Sequence, residues 1–325
     1  MHAGDIVPRP AAALEKRSGP QSIGLLVPVL NEAGSIKPFY DAIVPVLERL
    51  QCRWEILFID DGSTDATRVE IRALQAKSKA VHFVAFSRNF GKEAALTAGL
   101  DHIDADVVVP IDVDLQDPPE LIADFVDRWR DGYDVVFGVR SYREHDGLTK
   151  RTTANVFYRI FNMLSSDAIP PDAGDFRLLD RRVVEVLRRM PERNRFMKGL
   201  FAWVGFRSIG VPYARPERAS GTTKLPLRKL WQLALDGITG FSTLPLRVWT
   251  YFGLVVASTA FIFGVYRIIR TLIWGVDVPG YASLMVVILF LGGIQLISLG
   301  VIGEYLGRLF VEMKQRPLYV VDDKG

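Results

Sequence analysis

From Tyr281 to Val301 the chain runs without a single charged side chain, and its LMVVILFLGGIQLISLGVIG stretch has no polar face to turn toward water. Roughly 20 apolar residues in a helix cross a bilayer's hydrocarbon, and this run meets that length. A second segment, Trp249 to Ile273, is uncharged from Val248 to Tyr266. It carries Arg267 and Arg270 near its end, where long side chains snorkel to the interface. Trp249, Tyr251, Trp274 and Tyr281 sit near the proposed boundaries, as interfacial aromatics do. The connection from Trp274 to Gly280 is short and holds Pro279 and Gly280. The two segments therefore read as a helical hairpin, spans at about 249–273 and 281–303, with both outer ends on one side of a membrane.

That hairpin leaves the first three quarters of the chain to fold on its own. Over 325 residues the apolar fraction is 49%, the charged fraction 24% and the mean hydropathy +0.16, which excludes a disordered chain, a collagen-like fibre and a many-span transporter. The single cysteine, Cys52, excludes a disulfide scaffold and a thiolate metal cluster. His2, His82, His102 and His145 are scattered without ligand spacing. The formal charge of +3 hides a pattern: residues 1–175 net −8, residues 176–230 net +10 and residues 231–325 net +1. A basic belt ahead of apolar spans suits an anionic leaflet or headgroup. Around Arg181, Arg182, Arg188 and Arg189 it reads equally as a solvated helix surface. The first 20 residues lack a signal-type apolar core, so the N-terminal domain is expected in the cytosol. Arg308, Lys314, Arg316 and Lys324 follow the second span and agree with that orientation, whereas Arg267 and Arg270 count against it.

Within the soluble part, short apolar runs alternate with helix-length segments. The runs are residues 23–30, 54–59, 81–86, 107–111 and 135–138; the segments between them are 35–51, 64–77, 92–103 and 119–130. This alternation predicts an α/β fold with a Rossmann-like, mainly parallel sheet. Such sheets bind ligands at the carboxyl ends of their strands, and there lie Asn31-Glu32, Asp60-Asp61, Arg88-Asn89, Asp112 with Asp114, and Arg140. The chain has neither G-x-G-x-x-G nor G-x-x-x-x-G-K-[ST], which disfavours a dinucleotide oxidoreductase and a P-loop NTPase.

Asp112-Val113-Asp114 ends the fourth run. In an extended strand residues i and i+2 face the same way, so the two carboxylates project together with Gln116 in the same register. Oxygen donors with few protein carboxylates suit Mg²⁺ or Mn²⁺ shared with a diphosphate. The alternative is a pair of solvated acids ahead of the next helix, the reading preferred for Asp117.

VPVLNE, FIDDGSTDAT and D-x-D-L-Q-D-P at these intervals resemble the inverting, GT-A-fold glycosyltransferases of family 2. SRNFGKEAALTAGLDH, GDFRLLDRRVVEVLRRMPERNRFMKGLFAWVGF and GVIGEYLGRLFVEMKQRP narrow the resemblance to the bacterial polyprenyl-phosphate glycosyltransferases, nearest to the undecaprenyl-phosphate (bactoprenol) glucosyltransferases of O-antigen modification and more distantly to dolichol-phosphate mannose synthase. It covers about residues 21–320. The Q-x-x-R-W signature of processive polymer synthases is absent.

The resemblance implies a UDP-sugar donor, a polyprenyl-phosphate acceptor and a divalent cation, Mg²⁺ or Mn²⁺. It assigns Pro28, Leu30, Glu32, Asp60 and Asp61 to the nucleotide sugar. Lys92 is then a nucleotide or phosphate contact, or a surface lysine. Asp112, Asp114 and Gln116 become the metal and diphosphate motif. Arg140 and Arg151 match the arginines of the lipid phosphate, a charge that arginine binds in bidentate fashion. Arg218 and Lys224, in RASGTTK, match a loop near the donor diphosphate. Asp175, in GDFRLL, matches the acid assigned to catalysis. It acts as a base or as an orienting group, because a phosphate monoester with a second pKa near about 6 is already largely ionised.

The expected organisation is a tail (1–20), a GT-A domain (21–224), an amphipathic juxtamembrane segment (225–247), two spans (248–306) and a cytosolic tail (307–325), in the bacterial inner membrane. Gly303-x-x-x-Gly307, with Gly292, Gly293 and Gly300, allows close helix contact and self-association in the bilayer. The lipid product then needs a separate flippase and a downstream glycosyltransferase; no nucleic-acid partner is expected. Two alternatives stay open: another donor sugar (mannose, N-acetylglucosamine, galactose or an amino-sugar), or a non-catalytic, membrane-tethered scaffold that binds sugar nucleotides.

Overall fold

The computed structural model describes residues 15–140, 173–193, 195–213, 244–274 and 280–325. Five strands and four helices fall close to their expected places: β1 (Ser22–Val29), α1 (Ala33–Arg49), β2 (Arg53–Asp60), α2 (Thr67–Gln75), β3 (Val81–Phe86), α3 (Lys92–His102), β4 (Val107–Pro110), α4 (Leu121–Arg130) and β5 (Val135–Arg140). Then come β6 (Ala173–Asp180), α5 (Arg181–Arg189), α6 (Met197–Trp203), β7 (Ser208–Tyr213), α7 (Leu244–Trp274), α8 (Tyr281–Lys314) and β8 (Val321–Lys324).

All eight strands join one sheet in the order β7–β5–β6–β4–β1–β2–β3–β8. Its centre, β4–β1–β2–β3, is parallel, and β5 pairs with β7 in parallel. β6 runs antiparallel to both β4 and β5, and β8 runs antiparallel to β3. The sheet is mixed, and mainly parallel as expected.

Period-two alternation sorts the strand residues between two layers. Leu25 and Val27 of β1 and Ile56 and Phe58 of β2 pack with Phe39 and Ile43 of α1, Ile71 of α2 and Phe125 of α4. Their neighbours Leu26, Leu57 and Ile59 face the other way, onto α3, onto Val183 and Leu187 of α5 and onto Met197 and Leu200 of α6. α5 is capped by Asp180, whose carboxylate accepts from the Arg182 amide. Around α5 the basic belt is tied into the domain. Arg181 pairs with Asp104 and Glu185, Arg182 with Asp134 and Asp180, and Arg188 donates to the Leu100 and Ile103 carbonyls.

The expected N-terminal tail is anchored before residue 21. Arg17 pairs with Asp134 and Asp180 and lies over the Trp129 ring. Beyond it, α7 and α8 are long and apolar enough to cross a membrane, at Val248–Tyr266 and Val286–Lys314, and their large apolar side chains are exposed. Leu244–Arg247 already belong to α7, and α8 runs past the expected end of its span. Residues 225–243 of the juxtamembrane segment lie outside the described residues.

The stretch expected as a C-terminal tail returns to the sheet. β8 pairs with the edge of β3, and Arg68 and Arg72 of α2 pair with Asp322 and Asp323. Tyr319 stacks on Phe86 with ring centroids 5.0 Å apart and donates its hydroxyl to Asp101 at 2.9 Å. At the other arm, the Glu312 carboxylate near the end of α8 accepts the Arg193 amide at 2.8 Å.

Candidate active site

The chain leaves β1 toward β2 on one side, while β4 joins β1 on the other. The carboxyl ends of β1 and β4 therefore flank a topological switch point, where open α/β sheets bind ligands. Four loops meet at this edge.

The first two, after β1 and β2, are laced together. Asn31 sits at φ +55 and accepts the Thr64 amide at 2.8 Å, and its own amide donates to Ser63 Oγ at 2.9 Å. The Glu32 amide donates to Thr67 Oγ1 at 2.9 Å, and the Glu32 carboxylate accepts from Ser35 Oγ at 2.8 Å. Pro28 is half-buried, paired opposite Ile59, and Leu30 is exposed. Asp60 is fully buried: one oxygen accepts the Ser63 amide at 2.9 Å and the other accepts Arg68 Nε at 2.5 Å. The same guanidinium donates to the Phe86 carbonyl and to Asp322.

Asp61 grips the third loop. Its carboxylate accepts the Phe90 amide at 2.6 Å and the Gly91 amide at 2.9 Å, and burial raises its pKa despite those bonds. Gly62 stands at φ +75, and a Cβ there would lie 2.4 Å from the Arg88 carbonyl carbon. Only glycine lets the two loops approach so closely. Gly91, at φ +98, then turns the chain into α3.

The first side chain of α3 is Lys92. Its ammonium lies 2.7 and 2.9 Å from the two oxygens of Asp112 and 3.0 Å from Asp175. β4 and β6 pair Val107 with Asp180 and Val108 with Leu179. β6 runs antiparallel to β4, so its early residues, Asp175 among them, lie toward the edge where β4 ends. Burial opposes ionisation of Asp175, but Lys92 and Lys198 outweigh it and hold the carboxyl at about 2. For Lys92, burial is likewise outweighed by Asp175 and Asp112, and its pKa rises. Next in sequence, Glu93 is pushed up to about 7, first by burial and further by Asp175. Its carboxylate accepts the Met197 amide at 3.0 Å, at the start of α6. Arg177 is buried, 3.9 Å from the Phe201 ring centroid, donates to the Gly174 carbonyl at 2.6 Å, and is lowered to about 10 by burial. The sequence reading singled out none of Arg68, Glu93 and Lys198. Only the position of Glu93 beside Lys92 in NFGKEAAL pointed toward this cluster.

β4 ends at Pro110, and Leu115 turns the chain at φ +54. The strand register expected to align Asp112, Asp114 and Gln116 therefore stops short of all three. Asp114 is exposed and Asp112 half-exposed, whereas Gln116 is buried at 7%. Asp117 is no cap for α4, whose N-cap is Glu120; it is buried and accepts the Tyr213 hydroxyl at 2.5 Å. Among the described residues, no group of three or more His, Cys, Asp or Glu side chains is placed to hold a metal by itself. Two accessible carboxylates fit a hard cation that takes its remaining ligands from water and a diphosphate. Arg140 closes β5, paired opposite Tyr213. Arg151, Arg218 and Lys224 lie outside the described residues.

A family model described as Glycosyl transferase family 2 matches residues 25–188, and one described as GtrB C-terminal hairpin matches residues 244–309. The chain is 52% identical, over 92% of its length and 98% of the other's, to a prophage bactoprenol glucosyl transferase homolog of Escherichia coli. It is 49% identical, over 93% of its length and 95% of the other's, to an uncharacterised glycosyltransferase of Synechocystis. Among solved structures, glucosyl-3-phosphoglycerate synthase of Mycobacterium tuberculosis, in complex with Mn²⁺, UDP and glucosyl-3-phosphoglycerate, is 20% identical with a TM-score of 0.45, covering 67% of this chain and 78% of that one.

Proposed function

The chain belongs to glycosyl transferase family 2 and carries a GtrB-type C-terminal hairpin, and from that premise we propose that it transfers glucose from UDP-glucose to undecaprenyl phosphate at the cytosolic face of the bacterial inner membrane. The observation that carries the reading is the meeting of Asp112 and Asp175 at the sheet's carboxyl edge, in a chain whose following helices are long and apolar enough for a bilayer. Relatives named bactoprenol glucosyl transferases, about half identical over nearly the whole chain, support the sugar and the acceptor.

In this reading a phosphate oxygen of the lipid attacks the anomeric carbon in line. The bond from that carbon to the β-phosphate oxygen breaks, UDP leaves with the electron pair, and the configuration inverts. A divalent cation, Mg²⁺ or Mn²⁺, bound through Asp112 and Asp114 supplies neutralisation of the diphosphate charge. Pro28, Leu30 and Glu32 form the wall toward the nucleotide. Asp60 and Asp61 act from beneath it, by fixing Ser63, Arg68 and the loop at residues 90–91. Arg140 and Arg151 hold the acceptor phosphate, and Arg218 and Lys224 the leaving diphosphate. Asp175, held at about 2, stays ionised throughout the working range. It is a poor proton acceptor there and serves to orient the sugar by accepting from a hydroxyl. The return of β8 to β3 after the hairpin supports an arrangement with both outer ends of the hairpin on the catalytic side.

The test is incubation of the full-length protein with undecaprenyl phosphate and a panel of radiolabelled UDP-sugars, counting label that moves into organic solvent. Transfer from UDP-glucose is expected, and Asp114→Ala is expected to abolish it. Transfer from no donor, with UDP binding intact, would favour the scaffold; turnover by a folded Asp114→Ala variant would refute the metal assignment.

A further inference from the structure

Lys92 stands where helix physics does not want it. The N-terminus of an α-helix carries partial positive charge and favours anions, yet α3 opens on a lysine. Three features hold it there. Asp61 binds the two amides that precede it, Gly62 admits the loop, and two carboxylates lie within 3.0 Å of its ammonium. Without that ammonium, Asp112 and Asp175 would be two like charges converging on one point. Lys92 engages both oxygens of Asp112, the residue that the metal reading also requires.

We propose that Lys92 is a positioning residue that acts as an internal stand-in cation: it holds Asp112 and Asp175 together before the donor arrives, then yields Asp112 to the incoming metal while remaining on Asp175. The inference rests on the reading of Asp112 as a metal ligand. It gives the site a built-in order of events. Free metal must compete with a tethered ammonium, whereas metal arriving with a diphosphate brings further ligands that tip the exchange. Afterwards Lys92 still restrains Asp175, so the orienting carboxylate is set when the sugar binds.

The experiment is a Mn²⁺ titration of full-length protein in detergent, followed by the electron paramagnetic resonance signal of free Mn²⁺, without nucleotide and with saturating UDP. Lys92→Met is expected to bind Mn²⁺ about tenfold more tightly than wild type without UDP, and the gap is expected to shrink with UDP present. Lys92→Arg, which keeps the charge, is expected to resemble wild type and controls for folding. In an Asp112→Asn background the effect of Lys92→Met is expected to vanish, because exchange at Asp112 requires Asp112; a general field effect would survive there. Unchanged or weaker Mn²⁺ binding by Lys92→Met, alongside binding that Asp112→Asn weakens but leaves measurable, overturns the exchange alone. Wild-type Mn²⁺ binding by Asp112→Asn overturns the metal reading beneath it.

Discussion

Glu93 offers a quantitative test of how the cluster beneath the active site is built. Its carboxyl is raised from the ordinary 4.5 to about 7 by burial, further by the charge of Asp175, and against the opposing pull of the Met197 amide, Lys92 and Lys198; Arg177 is also close enough to feel it. A carboxyl that is harder to ionise in the folded state binds more protons there than in the unfolded chain between about pH 4.5 and 7. Its stabilising contribution is therefore complete below about pH 4.5 and is lost as pH rises through about 7. Each pH unit between the two values is worth about 1.4 kcal/mol, so the whole window carries about 3 kcal/mol as an upper figure. Glu93 is only half-buried, and solvent screening brings the expected loss nearer about 2 kcal/mol. Glu93→Gln keeps an acceptor for the Met197 amide and removes the titration. Urea unfolding of wild type and variant, followed by tryptophan fluorescence at half-unit steps from pH 5 to pH 8, measures the difference. The variant is expected to match wild type near pH 5 and to exceed it by about 2 kcal/mol at pH 8. Parallel pH profiles, or a gap that widens toward acid, would refute the reasoning.

Two further expectations concern the scaffold of the edge. Arg68→Ala leaves the fully buried Asp60 without its cation and is expected to cost about 3 kcal/mol at neutral pH. Adding Asp60→Asn should recover part of that loss, and a double variant no more stable than the single one would argue against the pairing as its cause. Gly62→Ala sets a Cβ at φ +75 against the backbone of residues 88 and 89; it should lower stability by about 1–3 kcal/mol and weaken UDP binding measured by calorimetry, and unchanged values for both would show that the loops can part without consequence.

The central sheet was legible because β1 to β5 are apolar runs separated by helix-length segments, and burial on both faces is what such runs require. β6 was less so. Its GDFRLL places a half-buried acid, a buried ring and a buried arginine in succession, and Arg177 is admitted by the Phe201 ring, far from it in sequence, and by the nearby Gly174 carbonyl. β8 carries almost no apolar signal, since Asp322 and Asp323 are held by α2 and the strand by backbone pairing. Within the site, motifs pointed to Asp112 and Asp175 separately. That one lysine joins them depends on β6 running antiparallel beside β4, which no local pattern encodes. The expected common register of Asp112, Asp114 and Gln116 fails for a related reason: β4 ends at Pro110, and Leu115 turns the chain before Gln116.

In the proposed membrane arrangement, β8 is made after both spans in the order of synthesis. Until the hairpin has been translated, the outer edge of β3 lies open, with its amides and carbonyls offered to any extended segment nearby. Closing that edge requires residues 321–324 to lie on the same side of the bilayer as β3. A hairpin inserted with only one crossing would strand them on the far side and leave the sheet one strand short. In that arrangement the last strand makes correct membrane insertion a condition of finishing the sheet, and a nascent chain with a misplaced span would betray itself by an unsealed edge.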